Sequence, residues 1–358
     1  MIKYLGSKRA LAGVLGTLAE GSGARTAVDL FTGTTRVAQE FKRRGLLVTA
    51  ADLASYSEVL ARCYVATDSG AVDAAELDAL LAELNALPGV RGYVTETFCE
   101  RARFFQPHNG QRIDAIRERL VELAGHRLYP VLLTALMEAA DRVDSTTGQH
   151  MAYLKDWAPR ASNELRLRAP ALLPGTGTAV RGDALEVVRS LPAADLIYLD
   201  PPYNQHRYFN YYHIWETLVR WDSPPHYGVA CKREDARSER RGSAFNSRRT
   251  MPSALAAVIG AARAEVVMVS YNDEAWVTPD RIIGWLRDAG HESVELLAFD
   301  SRRYIGSRIG IYNRVGEKVG KVSHTRNTEY VFVAGGAERV KAALAALAER
   351  DPVGAGVR

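Results

Sequence analysis

Apolar positions along this chain follow two rhythms. Seven short runs, at residues 26–31, 48–52, 179–183, 195–201, 265–272, 294–301 and 329–335, are strand candidates, and several are near-continuously apolar, as strands covered on both faces are. Most of the connections are long enough for crossover helices, which predicts an α/β chain built on an open, largely parallel sheet. Residues 73–174 read differently. Leu77, Leu80, Leu81, Leu84 and Leu87, then Val131, Leu132, Ala135, Leu136 and Ala139, recur at helical spacing and predict core-facing helices. The pattern therefore predicts a helical subdomain inserted into a sheet domain made of residues 1–72 and 175–336. The Ala-rich stretch 337–349 predicts one surface helix, and the remaining tail to 358 is expected to fray.

Composition narrows the class. No apolar run approaches the roughly 20 residues of a membrane span. The N-terminal Met-Ile-Lys-Tyr-Leu-Gly-Ser-Lys-Arg has neither an export core nor a cleavage site. Cys63, Cys99 and Cys231 are odd in number and widely spaced, so they imply structural thiols in a reducing cytosol and no metal site. Net charge is only +4, but it is unevenly placed. Residues 232–249 carry seven basic side chains against three acids, and residues 301–326 carry seven against one, giving +4 and +6. Everything else therefore sums to −6, and the two stretches predict a polyanion-binding surface. Lys232, Arg233, Arg240, Arg241, Arg248, Arg249, Arg302 and Arg303 are its candidate phosphate contacts.

The candidate chemistry sits at strand ends, where open α/β sheets bind ligands. Asp52, Asp183, Asp200 and Asn272 close four of the first five predicted strands, and Asp29 lies within the remaining one. Asp200 opens the turn Asp200-Pro201-Pro202-Tyr203. The prolines stiffen that turn and fix its carbonyls. A planar amine suits it: Asp200 and the Pro201 carbonyl accept two hydrogens while Tyr203 stacks on the ring. The turn after the first strand holds a single glycine, Gly33, too few for a dinucleotide fingerprint. Asp52 follows about twenty residues later, where an acid binds ribose hydroxyls. A cofactor with an adenosine and no diphosphate satisfies both, which makes S-adenosylmethionine the leading candidate. No cysteine lies near the motif, which disfavours cytosine-ring chemistry.

Taken in order, Lys3-Tyr-Leu-Gly-Ser-Lys8, Asp29-Leu-Phe-Thr-Gly33, Asp52, Arg181-Gly-Asp183, Asp200-Pro-Pro-Tyr203 and Asn327-Thr-Glu-Tyr-Val-Phe-Val333 resemble the motifs of Dam-type adenine-specific DNA methyltransferases. The resemblance implies a Rossmann-like seven-stranded methyltransferase sheet, with residues 73–174 as a helical target-recognition insertion. It implies methylation of the exocyclic amine of adenine in a specific double-stranded DNA sequence, by a solitary methylase or one paired with a cognate restriction endonuclease. Tyr4 and Lys8 would line the methionine end of the cofactor, with Asp29 and the turn from Phe31 to Gly33 flanking it. Asp52 would bind the ribose, Asp183 would approach the cofactor adenine, and Asp200 would face both cofactor and target amine. One departure is visible: Thr35 stands where the family turn has a second glycine.

Plainer readings coexist with these. Lys8 reads equally as a surface lysine, and Asp52 and Asp183 as helix caps. Tyr212 and Trp215 fit a pocket wall or a core, and His206 and His213 read as polar pocket or surface residues. The same amine-binding turn also serves methylation of RNA or of a protein glutamine amide, and a cofactor-sensing DNA-binding module is a further alternative.

Overall fold

A computed structural model describes residues 2–6, 8–202, 208–237, 243–302, 326–350 and 356–357. The strands are β1 (Thr26–Asp29), β2 (Leu47–Asp52), β3 (Thr178–Arg181), β4 (Ala194–Leu199), β5 (His226–Tyr227), β6 (Lys232–Arg233), β7 (Ala264–Asn272), β8 (Ser293–Arg302), β9 (Arg326–Gly335) and β10 (Gly356–Val357). All except the β5–β6 hairpin join one sheet in the order β10-β8-β9-β7-β4-β1-β2-β3. β1, β2, β3, β4 and β7 run parallel, and β9 lies antiparallel between β7 and β8. The seven expected strands are all present, and the fold is the expected Rossmann-like one.

The differences from the sequence pattern have local causes. β4 stops at Leu199, because Pro201 and Pro202 have no amide to continue the ladder. β8 and β9 extend into polar sequence because each supports the other over ten paired positions. In the tail, Gly356 and Val357 pair with Ala298 and Leu297 rather than fraying. The C-terminal helix covers Ala337–Arg350.

Strand alternation decides which side chains reach the site. Ala27, Val48, Ala50, Leu196, Tyr198, Met268, Val331 and Val333 belong to one buried layer, packed under α1 (Ala12–Gly21), α2 (Arg36–Arg43) and the C-terminal helix. Two-residue periodicity puts Asp29, Asp52, Asp200 and Glu329 on that same face, at or just beyond its edge. The antiparallel course of β9 explains Glu329: β9 begins at the edge where the parallel strands end, and Glu329 pairs with Asn272.

The helices Ala74–Ala86, Pro107–Glu122 and Tyr129–Val143 bury Leu77, Leu81, Leu84, Val131, Leu132, Ala135, Leu136 and Ala139. Their apolar cluster is continuous with Ile2, with Tyr56 of α3 (Ser55–Ala61), and with Tyr212 and Trp215 beside and within the helix His213–Arg220. Among the described residues, no helix is long and apolar enough to cross a membrane.

α1 meets the C-terminal helix through Gly21, where a Cβ would lie 2.5 Å from the Cβ of Ala346. Gly21→Val is expected to wedge these helices apart and lower stability by about 1–3 kcal/mol, read as a lower urea midpoint.

Candidate active site

A cleft of about 480 Å3 opens at the edge where β1, β2, β3 and β4 end. Its walls include Tyr4, Phe31, Gly33, Asp52, Asp183, Asp200, Pro201 and Pro202, so residues spread over two hundred positions meet there. A smaller recess of about 40 Å3 shares Tyr4, Phe31, Gly33 and Asp200 with it and adds Lys8 and Asp29. The proline corner and the Gly33 bend are thus joined by open space. Tyr203 lies outside the described residues.

The bend after β1 is tied to the end of β2. The amide of Gly33 donates to Asp52 Oδ2 at 2.9 Å, and that of Ala54 donates to Oδ1 at 3.0 Å. Gly33 has φ +50°, and a Cβ there would come within 3.2 Å of the Tyr4 ring, so both conformation and space call for glycine. Thr35, at the departure from the family pattern, keeps a glycine-like left-handed backbone at φ 64° although it is β-branched and buried. Its amide donates to Thr32 O at 2.6 Å, and its Oγ1 accepts from Gln39 Nε2 at 2.8 Å. These bonds hold a conformation that costs about 1–3 kcal/mol.

Asp29 is buried at the end of β1. Its Oδ2 accepts from Thr32 Oγ1 and the Ala38 amide, while Oδ1 has no hydrogen-bond partner. Burial pushes its pKa up to about 7, with Asp200 and Asp52 adding to the rise and the Thr32 bond opposing it. Burial also raises Asp52. Asp183 combines both roles considered for it: it lines the cleft, and Oδ1 caps the helix Ala184–Ser190 through the Leu185 amide at 2.9 Å.

Lys8 is no surface lysine. Its Nζ lies 3.2 Å from Asp200 Oδ1 and 3.1 Å from Glu329 Oε2, with the Lys8 side chain only 7% exposed. Burial lifts Asp200 to about 6, against the opposing pull of Lys8. Four residues earlier, the Tyr4 ring stacks against Tyr212 at 4.6 Å and Tyr208 at 5.3 Å. The Leu5 amide donates to the Tyr212 hydroxyl at 2.6 Å. Tyr212 therefore serves core and site together, whereas Trp215 belongs to the core.

Several lining residues carried no sequence signal: Tyr56, Glu216, Arg220 and Phe245. Glu216 accepts from the Ser55 amide at 3.0 Å, and Phe245 meets Phe31 edge-on at 5.0 Å. Phe245 sits inside the first basic stretch, so a segment expected only to contact a polyanion also walls the cleft.

That stretch divides into unlike parts. Arg248 and Arg249 are exposed, directly after the lining residue Asn246, and Lys232 is half-buried in the hairpin. Arg233 requires correction as a phosphate contact. It is 1% exposed, its guanidinium forks onto Asp222 at 2.7 and 2.6 Å, and it also donates to Asp235. No valence of that group faces a ligand. Arg240, Arg241 and Arg303 lie outside the described residues, and Arg302 is described only as part of β8. His213 is likewise a core histidine, fully buried with Nε2 3.0 Å from the carbonyl of His150, and burial depresses its pKa. His206 lies outside the described residues. The three cysteines are buried and free, and burial raises each thiol, Cys63 to about 12. Among the described residues no cluster of His, Cys, Asp or Glu is arranged to hold a metal.

Comparison with known proteins agrees with this geometry. The model of the D12 class N6 adenine-specific DNA methyltransferases matches residues 4–278. The type II methyltransferase M.NlaIII of Neisseria lactamica is 30% identical over 78% of this chain and 86% of its own length. The modification methylase StsI of Streptococcus sanguinis is 25% identical over 85% of this chain, and the type II methyltransferase M.FokI of Planomicrobium okeanokoites 27% over 78%. The aligned region spans about half of each of these two longer proteins, 49% and 46%.

Arg233→Ala would remove the buried cation of a network in which Arg220 still pairs with Asp222 and Asp235. A loss of about 1–3 kcal/mol is expected, measured by denaturant unfolding. A variant as stable as the parent would return Arg233 to the list of available cations.

Proposed function

Because the chain belongs to the D12 class of N6 adenine-specific DNA methyltransferases, we propose that Asp200 and the Pro201 carbonyl grip the exocyclic amine of a target adenine extruded from double-stranded DNA. The observation that carries this reading is the position of Asp200 on the shared wall of the large cleft and the recess. Bound S-adenosylmethionine supplies a methyl group on a sulfonium, a good leaving group.

The residues present suit that cofactor. The unpartnered, buried Oδ1 of Asp29 is an acceptor waiting for a cationic donor such as the methionine ammonium. Tyr4, Lys8, Phe31 and Gly33 would surround that end. Asp52 and Asp183 would receive the ribose and the adenine at the far side of the cleft. Asp52 retains lone pairs for two hydroxyls although each oxygen already accepts one amide.

Asp200 does the decisive work. The lone pair of an aromatic amine is delocalised into the ring. Accepting both N–H groups at Asp200 and the Pro201 carbonyl localises that pair and aims it at the electrophilic carbon. Once the amine carries the methyl group that bound S-adenosylmethionine would supply, Asp200, already hydrogen-bonded to that amine, would take the proton it releases. Rate comes from positioning and charge placement, with no covalent enzyme intermediate. Turning the base out costs a few kcal/mol. Stacking on Tyr203 would return roughly 1–3 kcal/mol.

Arg248 and Arg249, and the corresponding cations of residues 301–326, would hold the DNA backbone beside the cleft. The aromatic-polar loops of residues 73–174 would read bases. A companion endonuclease and a cytosolic setting complete the proposal. The relatives' description as type II enzymes supports the former, and the free buried thiols are compatible with the latter.

Asp200→Ala is expected to lower methyl transfer by at least about 10^2-fold while leaving DNA affinity in a binding assay nearly unchanged. Near-parental turnover would remove Asp200 from the reaction. Asp200 must be ionised to accept the amine, so kcat/KM should fall tenfold per unit as pH drops below about 6 and stay level just above it. Arg248→Ala with Arg249→Ala should reduce the slope of log K against log salt by about 1.8, the contribution of two phosphate contacts.

A further inference from the structure

We propose that Glu329 is a positioning residue for methyl transfer, sharing the Lys8 ammonium so that ionised Asp200 stays a more basic acceptor for the target amine. The inference rests on the role assigned above to Asp200. Lys8 Nζ stands 3.2 Å from Asp200 and 3.1 Å from Glu329, and the three side chains are 7%, 17% and 14% exposed. Among the described residues the cluster thus holds two carboxylates and one ammonium, a net charge of −1, largely shielded from solvent. Tyr198 and Asp29 also act on Asp200, and Arg36 lines the recess beside Lys8 and Asp29. Tyr198 donates to Ser270 at 2.8 Å, and Asp29 is anchored to Thr32 and Ala38, so neither competes for Lys8.

The charge count decides the chemistry. A carboxylate that holds an ammonium to itself is ionised but weakly basic, because the cation draws charge from its oxygens. When a second carboxylate takes part of the ammonium, Lys8 still orients Asp200, whose oxygens stay more basic and accept the charge-assisted bond more strongly. The fold provides that second carboxylate by reversing β9. An antiparallel strand starts at the sheet edge where β4 ends, and strand alternation places Glu329 on the Asp200 face. Glu329 is thus within reach of Lys8 without belonging to the motif that holds Asp200.

Glu329→Gln and Lys8→Met test this as a pair, assayed for kcat, KM for DNA, thermal stability and the pH dependence of kcat/KM. Glu329→Gln is expected to lower kcat roughly tenfold with KM for DNA within about twofold. Its acid limb should move to lower pH by about half to one unit, because Asp200 loses a like-charged neighbour and gains a larger share of Lys8. Lys8→Met should move the limb the opposite way, to higher pH. Parental kcat in Glu329→Gln would overturn the proposal, as would a lower kcat with an unmoved acid limb, the signature of a merely structural role. If Glu329→Gln is too unstable to assay, an unmoved or lowered limb in Lys8→Met overturns it equally. Asp200→Ala keeps the two readings apart: retained turnover there defeats the amine-gripping role itself, whatever Glu329 does.

Discussion

A buried lysine held between two carboxylates is the constraint around which this molecule is arranged. The Lys8 ammonium is compensated in its recess by Asp200 and Glu329, whereas an uncompensated buried charge costs several kcal/mol. Asp200 comes from the end of a parallel strand, Glu329 from the start of an antiparallel one, and Lys8 from the N-terminal segment. This one cation therefore ties together three distant parts of the chain, and the carboxylate of the proline corner is one of them.

The N-terminal segment carries that constraint outward. Lys3 reaches Asp144 at 2.8 Å and the Asp141 carbonyl at 2.5 Å in the inserted helical region. Tyr4 stacks on Tyr212 and Tyr208, which follow the proline corner, and its ring covers Gly33. Lys3, Tyr4 and Lys8 thus bind the insertion, the aromatic wall, the Gly33 bend and Asp200 to one another. The left-handed Thr35 shows how firmly the bend is determined. A β-branched residue retains a backbone shape that glycine would adopt without strain, because the surrounding hydrogen bonds leave no alternative.

Positive charge is sorted by its neighbours. Arg233, Arg248 and Arg249 belong to one basic stretch and are indistinguishable by composition. Asp222 and Asp235 convert Arg233 into an internal strut, together with Arg220, which also lines the cleft. Arg248 and Arg249 remain on the surface. The intervening Phe245 and Asn246 wall the cleft, so the surface proposed to hold DNA and one wall of the cleft are a single segment.

Strand periodicity, helical spacing and the Asp200-Pro-Pro corner were legible in the chain because each is a local property. Short apolar runs placed the strands, and the prolines ended β4. The residues that closed strands β2, β3 and β4 do meet at one cleft, since parallel strands put their ends on a common edge. The partner of Lys8, the burial of Arg233 and His213, and the contributions of Glu216 and Phe245 were not legible. Each depends on which residue from a remote segment lies opposite, and that is set by sheet order and packing. The sequence by itself determined the strands, the stiff proline corner and the glycine bend, because backbone sterics and side-chain period act over a few residues. Only the tertiary structure decided which charges are spent on one another and which stay available, because pairing energy depends on distance and burial, which a one-dimensional order does not contain.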